Sequence, residues 1–401
     1  MGLFFSGPYV RSFMLSILPG KKNASGLPIS RLCFVFWLGM AAKMGLNWIF
    51  TGCVAVGLLL AWAWPGGTGA QLPAPSAPGS YAVADTLRHP NAWLDRELAL
   101  LERSWGVELG VYMQRVGDAH YFSYRERTPF QMASVYKLPI ALHVLKLHEE
   151  GRLRLDSVLS LHSWDYCPGS GLLQWALQQG AVQRSVGQLL DLMLQESDNT
   201  ATDILLGLAG GPWAVQQRMN AWGITGLRVD RKVIQLFADY TQRPLPLMHE
   251  RSIAGLNQRY EWGLSAAERS LAEQRWRQDT LDTGTPLAYG QLWQRLEAGE
   301  LLQPTTRQRL YQAMRHRHLG QARIAAALPA GAALYHKTGT FFGSCNDAAL
   351  IDYQGHRYIL VVLTRGAVRG HAYMEGVLAR AADKALQAYP EAFLGVPSLS
   401  R

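Results

Sequence analysis

The chain has 401 residues, 48% hydrophobic, 17% charged and 10% aromatic, apolar material enough for a large core and incompatible with a disordered chain or a coiled coil. Four cysteines in that length exclude a disulfide-held miniature scaffold. Five basic residues (Arg11, Lys21, Lys22, Arg31, Lys43) precede the first acidic one, Asp85; the 34 basic and 30 acidic side chains left from the net +9 form an ordinary surface and imply no nucleic-acid partner.

Residues 1–43 are an N-terminal extension too long for the n-region of a signal peptide, and a start at Met40 or Met44 would give a conventional one. Residues 44–65 follow; positions 44–64 are uncharged and mostly apolar, long enough to cross a bilayer once. Basic residues precede this segment and none follows closely, which keeps the N-terminus cytoplasmic. Residues 66–85 are rich in Pro, Gly, Ala and Ser and read as a tether. The segment is either a signal peptide cleaved near Ala70 or a retained single-pass anchor in the inner membrane. Either way the body, residues 86–393, is expected to be exported to the periplasm. Cys53 faintly resembles a lipidation site, but most of the apolar run lies after it.

Along the body a helix is predicted over 88–104. Strands over 107–116 and 120–124 turn at Gly117-Asp118. A helix opens at Ser134 with Leu138, Ala141, Leu142 and Leu145 on one face. Helices follow over 186–195 and from Thr200. Three strands, 332–341, 346–353 and 357–364, precede a last helix over 373–389, with Gly355 at the final turn. Strands at both ends with helices between predict an α+β fold, its antiparallel sheet built from both termini beside an all-helical lobe.

Three short polar motifs interrupt this pattern. Ser134-Val135-Tyr136-Lys137 puts a hydroxyl and an amine on one helix face, near free N–H groups at the helix start. A lysine in a partly dry site can lose its proton and act as base. Alone, the pair also reads as an N-cap serine beside a solvated lysine. Ser197-Asp198-Asn199 lies between two apolar helices and would serve as an ordinary helix cap. Lys337-Thr338-Gly339-Thr340 lies on a strand and would serve as a charged edge.

Taken in this order, the three motifs resemble the S-x-x-K, S-D-N and K-T-G signature of class A serine β-lactamases and the related penicillin-binding proteins. Gly169-Ser170-Gly171-Leu172-Leu173, Gly210-Gly211-Pro212, Gly299-Glu300-Leu301-Leu302, Leu328-Pro329-Ala330-Gly331 and Asn346-Asp347 extend the resemblance over about 86–393. It implies a β-lactamase/D,D-peptidase-like fold with a five-stranded antiparallel sheet flanked by helices. It also implies an acyl-enzyme mechanism in a monomer without metal or cofactor. Ser134 would be the nucleophile, Lys137 its base and Ser197 the proton donor to the leaving nitrogen, helped by Lys337. The N–H groups of Ser134 and Thr340 would form the oxyanion hole. Asn199 would hold the substrate's amide side chain, and Lys337, Thr338, Thr340 and Arg323 its carboxylate. The substrate would be a β-lactam, or the D-Ala-D-Ala stem of peptidoglycan. A domain that keeps the fold and only binds is disfavoured by the intact Ser134, Lys137, Ser197 and Lys337.

The resemblance breaks at one point. Class A enzymes hydrolyse their acyl-enzyme with a loop glutamate. A gapless count from Ser197 aligns Asp230-Arg231 with the start of that loop and puts Val233 where the glutamate belongs. Asp282-Thr283-Gly284-Thr285-Pro286 resembles the loop's exit, so an Arg231–Asp282 ion pair is expected to close an expanded loop, 231–282. Inside it, Arg259-Tyr260-Glu261-Trp262-Gly263-Leu264-Ser265 resembles the family's glutamate run. Glu261 is then either a surface residue of an insertion or the deacylating base. Without that base the protein would stall as a penicillin-binding protein or act as a slow D,D-peptidase. Cys167 and Cys345 border the same cleft in the family and are either a disulfide or two buried thiols. His316-Arg317-His318 reads as a solvated turn, and His336 as packing beside the strand.

Overall fold

The computed structural model describes residues 87–315, 319–366 and 370–394. The leader, the tether and the 316–318 turn lie outside the described residues. No helix among the described residues is long and apolar enough to cross a membrane.

Ten strands form among the described residues, in chain order: β1 (Leu87–Arg88), β2 (Glu108–Arg115), β3 (His120–Tyr124), β4 (Phe130–Gln131), β5 (Val158–Leu161), β6 (Val182–Ser185), β7 (Thr283–Gly284), β8 (Ala333–Phe341), β9 (Ser344–Tyr353) and β10 (His356–Arg365). The main sheet runs β1-β3-β2-β10-β9-β8. Its last five strands are antiparallel, as expected; β1 adds two residues parallel to β3. Strands from both termini meet where β2 pairs β10, Val111 opposite Val362.

Period-2 alternation sorts the core into two layers. Val111, Met113, Leu360 and Val362 face the helices Ala92–Trp105 and His371–Leu386. Tyr112, Ile359, Val361 and Leu363 face the helical lobe. Covered on both faces, β9 and β10 are buried almost throughout, with an apolar run at the centre of each.

The predicted amphipathic helix at Ser134 differs from expectation in two ways. A 3₁₀ turn, Ala133–Tyr136, precedes it, and the α-helix proper is Lys137–Glu149. Every side chain from Lys137 to Leu145 is buried, so this helix threads the core instead of lying on it.

The expanded loop is itself folded. It contains helices Val233–Thr241, Ile253–Asn257 and Ala266–Gln278, with a π turn at Gln258–Trp262. Its neck is closed by Arg231 Nε and Asp282 Oδ2 at 2.7 Å, the anticipated pair. Arg231 also meets Asp279 at 2.8 Å and Asp239 at 3.0 Å. Asp282 Oδ1 accepts the Asp230 N–H at 2.8 Å, and Asp230 Oδ2 accepts the Asp282 N–H at 2.8 Å. The loop's aromatics dock on the β8–β9 turn: Trp276 lies 4.7 Å from Phe341 and Tyr240 stacks on Phe342 at 4.5 Å.

The two cysteines are free and buried, so they are the thiol pair and not a disulfide. They belong to opposite core layers, Cys167 on the lobe side and Cys345 on the side of the terminal helices. A bridge between them would have to cross the sheet.

Asp282→Ala removes the acceptor of the Asp230 and Arg231 N–H groups and one of the three carboxylates on Arg231, with Asp239 and Asp279 still in place. It should lower unfolding free energy by about 1–3 kcal/mol in urea titrations, the cost of donors left unsatisfied. A loss below about 1 kcal/mol would show that the neck does not depend on the pair.

Candidate active site

The three motifs converge. The hydroxyl of Ser197 accepts from Lys137 Nζ at 3.1 Å and from Lys337 Nζ at 3.1 Å. Lys137 Nζ also donates to Ser197 O at 2.5 Å and to Asn199 Oδ1 at 2.7 Å; Lys337 Nζ donates to Thr338 O at 2.9 Å. Both lysines are fully buried. Burial pulls the Lys137 amine down to about 8, although Asp198, Cys167 and Asp203 pull the other way. Burial lowers Lys337 well below its ordinary value, and the positive charges of Lys137 and Arg323 add to this.

Backbone geometry brings the turn that carries Ser134 against the strand of Lys337 and Thr340. β8 is the sheet's edge, and its Gly339 lies against the 3₁₀ turn. A Cβ there would come within 2.6 Å of Met132 O and 2.9 Å of Ser134 N, so only glycine permits the approach. Asn346, opposite Gly339 in β9, donates to Gln131 O at 2.8 Å and Met132 O at 3.0 Å, pinning the chain just before Ser134. Ala133 (φ 48°) and Ser197 (φ 53°) hold left-handed conformations that side-chain-bearing residues disfavour. Ser134 is half-buried, and its hydroxyl makes no hydrogen bond among the described residues.

The S-D-N turn is locked to the glycine-rich loop facing it. Asp198 caps the helix Asn199–Leu208 through Ala201 N at 2.8 Å and accepts Leu172 N and Leu173 N at 2.8 and 2.9 Å. Ser170 Oγ donates to Ser197 O at 2.7 Å. A Cβ on Gly171 would strike Asp198 Oδ2 at 2.3 Å, and one on Gly169 would strike Asn199 Nδ2 at 2.6 Å. Within Ser197-Asp198-Asn199 the helix cap is Asp198, and Ser197 and Asn199 are left to meet the lysines.

Arg323 enters from behind. Its guanidinium holds Thr340 Oγ1 at 2.5 Å, Gly339 O at 3.2 Å, Asn346 O at 3.0 Å and Glu375 at 3.1 Å. It reaches the cleft through the Thr340 hydroxyl. Thr338 is buried, and His336 pairs with Asp347 at 2.9 Å inside the sheet.

A family model for the β-lactamase enzymes matches residues 94–389. The chain belongs to this family. The carbapenem-hydrolysing β-lactamase KPC of Klebsiella oxytoca is 28% identical to this enzyme over 292 residues, 72% of this chain and 86% of that protein. A β-lactamase of Mycobacterium tuberculosis is 29% identical over 307 residues, 75% of this chain and 87% of its own length. An ancestral class A β-lactamase superposes with a TM-score of 0.59 at 26% identity, covering 74% of this chain and 99% of that one. PBP-A, solved as an acyl-enzyme with penicillin G, reaches 0.60 at 21% identity over 77% of this chain and 100% of its own, a likeness of fold. The protein is a serine hydrolase of the class A β-lactamase type.

Within this hydrolase Val233 opens the first helix of the expanded loop. Its N–H donates to Asp203 Oδ1 at 2.6 Å and that of Ile234 to Oδ2 at 2.9 Å, fixing the start of the expanded loop. Glu261 is half-buried in the insertion, and burial pushes its pKa up. Sequence reasoning missed Asp203, Ser170 and the anchoring role of Asn346. Asp203 lies one helical turn beyond Asn199, a findable signal, whereas Asn346 sits in the polar start of β9 and its anchoring role depends on tertiary contact.

A lysine that accepts a proton must first be neutral, so reaction through Lys137 is favoured above its pKa. The rate at which a penicillin acylates the enzyme should climb with pH through about 8 and level off above it. Mass spectrometry of quenched samples reads this, and a flat profile from acid to alkaline pH would contradict it.

Proposed function

We propose that the enzyme opens β-lactam rings by forming an acyl-enzyme on Ser134. The observation that carries this is the Ser197 hydroxyl 3.1 Å from both lysine amines. Neutral Lys137 takes the Ser134 proton as Oγ bonds to the carbonyl carbon. The N–H groups of Ser134 and Thr340 receive the developing oxyanion; one such donor is worth about 3–4 kcal/mol of barrier. As the C–N bond breaks, Ser197 gives its proton to the leaving nitrogen and is reprotonated from Lys137. Lys337 holds the Ser197 hydroxyl in line and, with Thr338 and Thr340, receives the substrate carboxylate. Arg323 supports that contact by orienting Thr340. Asn199 holds the acyl amide. This chemistry calls on no metal and no cofactor.

Val233 favours a second reading for the next step. An apolar side chain cannot activate water, so the acyl-enzyme would persist, as in a penicillin-binding protein or a slow D,D-peptidase acting on peptidoglycan stems. We propose further that the enzyme works outside the cytoplasm as a monomer. The basic residues before the apolar segment 44–64, and the tether after it, support export.

Product formed from a chromogenic cephalosporin separates the readings. Many turnovers per enzyme support a β-lactamase. A burst equal to the enzyme concentration and then a plateau supports the penicillin-binding reading. Neither product nor adduct would contradict both, and Ser134→Ala should abolish either response.

A further inference from the structure

A cavity of about 300 Å³ opens at the base of the insertion, between the ends of the helices Val233–Thr241 and Ala266–Gln278. Arg231, Asp239, Tyr240, Arg275, Trp276 and Asp279 are among the residues that line it. Its charged side chains are unequally engaged. Arg231 is saturated, with Asp239, Asp279 and Asp282 at 3.0, 2.8 and 2.7 Å. Asp279 Oδ1 accepts the Leu281 N–H at 2.8 Å, so that carboxylate is spent as well. Asp239 gives Arg231 only Oδ2, and its Oδ1 has no partner among the described residues. Arg275 makes neither a hydrogen bond nor an ion pair among the described residues. The cavity therefore presents one unused carboxylate oxygen and one unused guanidinium.

Walls of both signs select a ligand with both. Three carboxylates around the one guanidinium of Arg231 leave that corner negative, which disfavours a simple anion, and Arg275 disfavours a simple cation. We infer that the cavity binds a free amino acid with an apolar side chain. Its ammonium meets Asp239 Oδ1, its carboxylate meets Arg275, and its side chain lies against Tyr240, Trp276 and Leu281.

The two aromatic walls carry a second signal. Tyr240 and Trp276 are buried, yet Tyr240 Oη and Trp276 Nε1 have no hydrogen-bond partner among the described residues. Buried donors left unused are costly, and a ligand with acceptor oxygens offers them partners. The walls are also fixed before any ligand arrives. Gln131 Nε2 donates to Trp276 O and to Asp279 O, each at 3.0 Å. The rings of Trp276 and Tyr240 rest on Phe341 at 4.7 and 5.2 Å. A site that needs no ordering keeps more of its contact energy as affinity. The cavity shares no residue with the cluster around Ser197, so it stands apart from the chemistry proposed there.

Equilibrium dialysis of the full chain against radiolabelled L-phenylalanine tests this. The expected dissociation constant is below about 1 mM. Phenethylamine and 3-phenylpropionate keep the ring with one charge each, and should compete about tenfold more weakly or worse. Arg275 and Asp239 are exposed, so Arg275→Ala and Asp239→Asn should keep the parent's Tm in the absence of ligand. Each should weaken L-phenylalanine about tenfold. Should one variant fail to fold, the other carries the test. No binding up to about 10 mM would overturn the inference. So would a singly charged analogue that competes as well as the amino acid, or undiminished binding in either folded variant, which places the ligand elsewhere.

Discussion

Two buried amines share one hydroxyl, and the rest of the molecule is arranged around that contact. Ammonium groups without water are costly, and two facing each other are costlier. The fold meets this cost by letting the charge leave. Lys137 is poised to be neutral at mildly alkaline pH, and the Ser197 hydroxyl accepts from both amines. The same arrangement that would destabilise a purely structural core makes a proton-transfer site.

Holding three chain segments this close leaves little room for side chains. Gly339 lets the β8 edge meet the Ser134 turn, and Gly169 and Gly171 let the facing loop meet Asn199 and Asp198. Asp198 and Asp203 do no chemistry. Each spends its oxygens on backbone N–H groups, Asp198 on the helix start and the glycine loop, Asp203 on the start of the insertion. The insertion extends this logic. Its neck is an ionic cluster, its aromatics grip the turn after β8, and the residue before its π turn, Asn257, accepts from Tyr166 beside the glycine loop.

Much of this was legible beforehand because it is local. The β2–β3 hairpin, the three closing strands and the motif on each element follow from periodicity and from short runs whose spacing is set by one turn of helix or strand. The Arg231–Asp282 pair was legible because both ends of the loop kept their flanking residues. What escaped depends on which surfaces meet. The Lys137–Glu149 helix looked one-faced, since periodicity registers the apolar stripe and is silent on a helix covered all round. The cysteines seemed able to pair because both border the cleft, yet the sheet separates them. Glu261 was pulled between two alignments. In the structure Val233 opens the insertion's first helix and Glu261 lies half-buried in its π turn, a placement that no run of sequence could give.

The most direct measurement is to react the protein with benzylpenicillin, digest it and map the adduct by mass spectrometry. The account predicts one penicilloyl group, on the peptide carrying Ser134 and Lys137, and its disappearance in Ser134→Ala. An adduct on any other peptide, or one that survives that substitution, would contradict it.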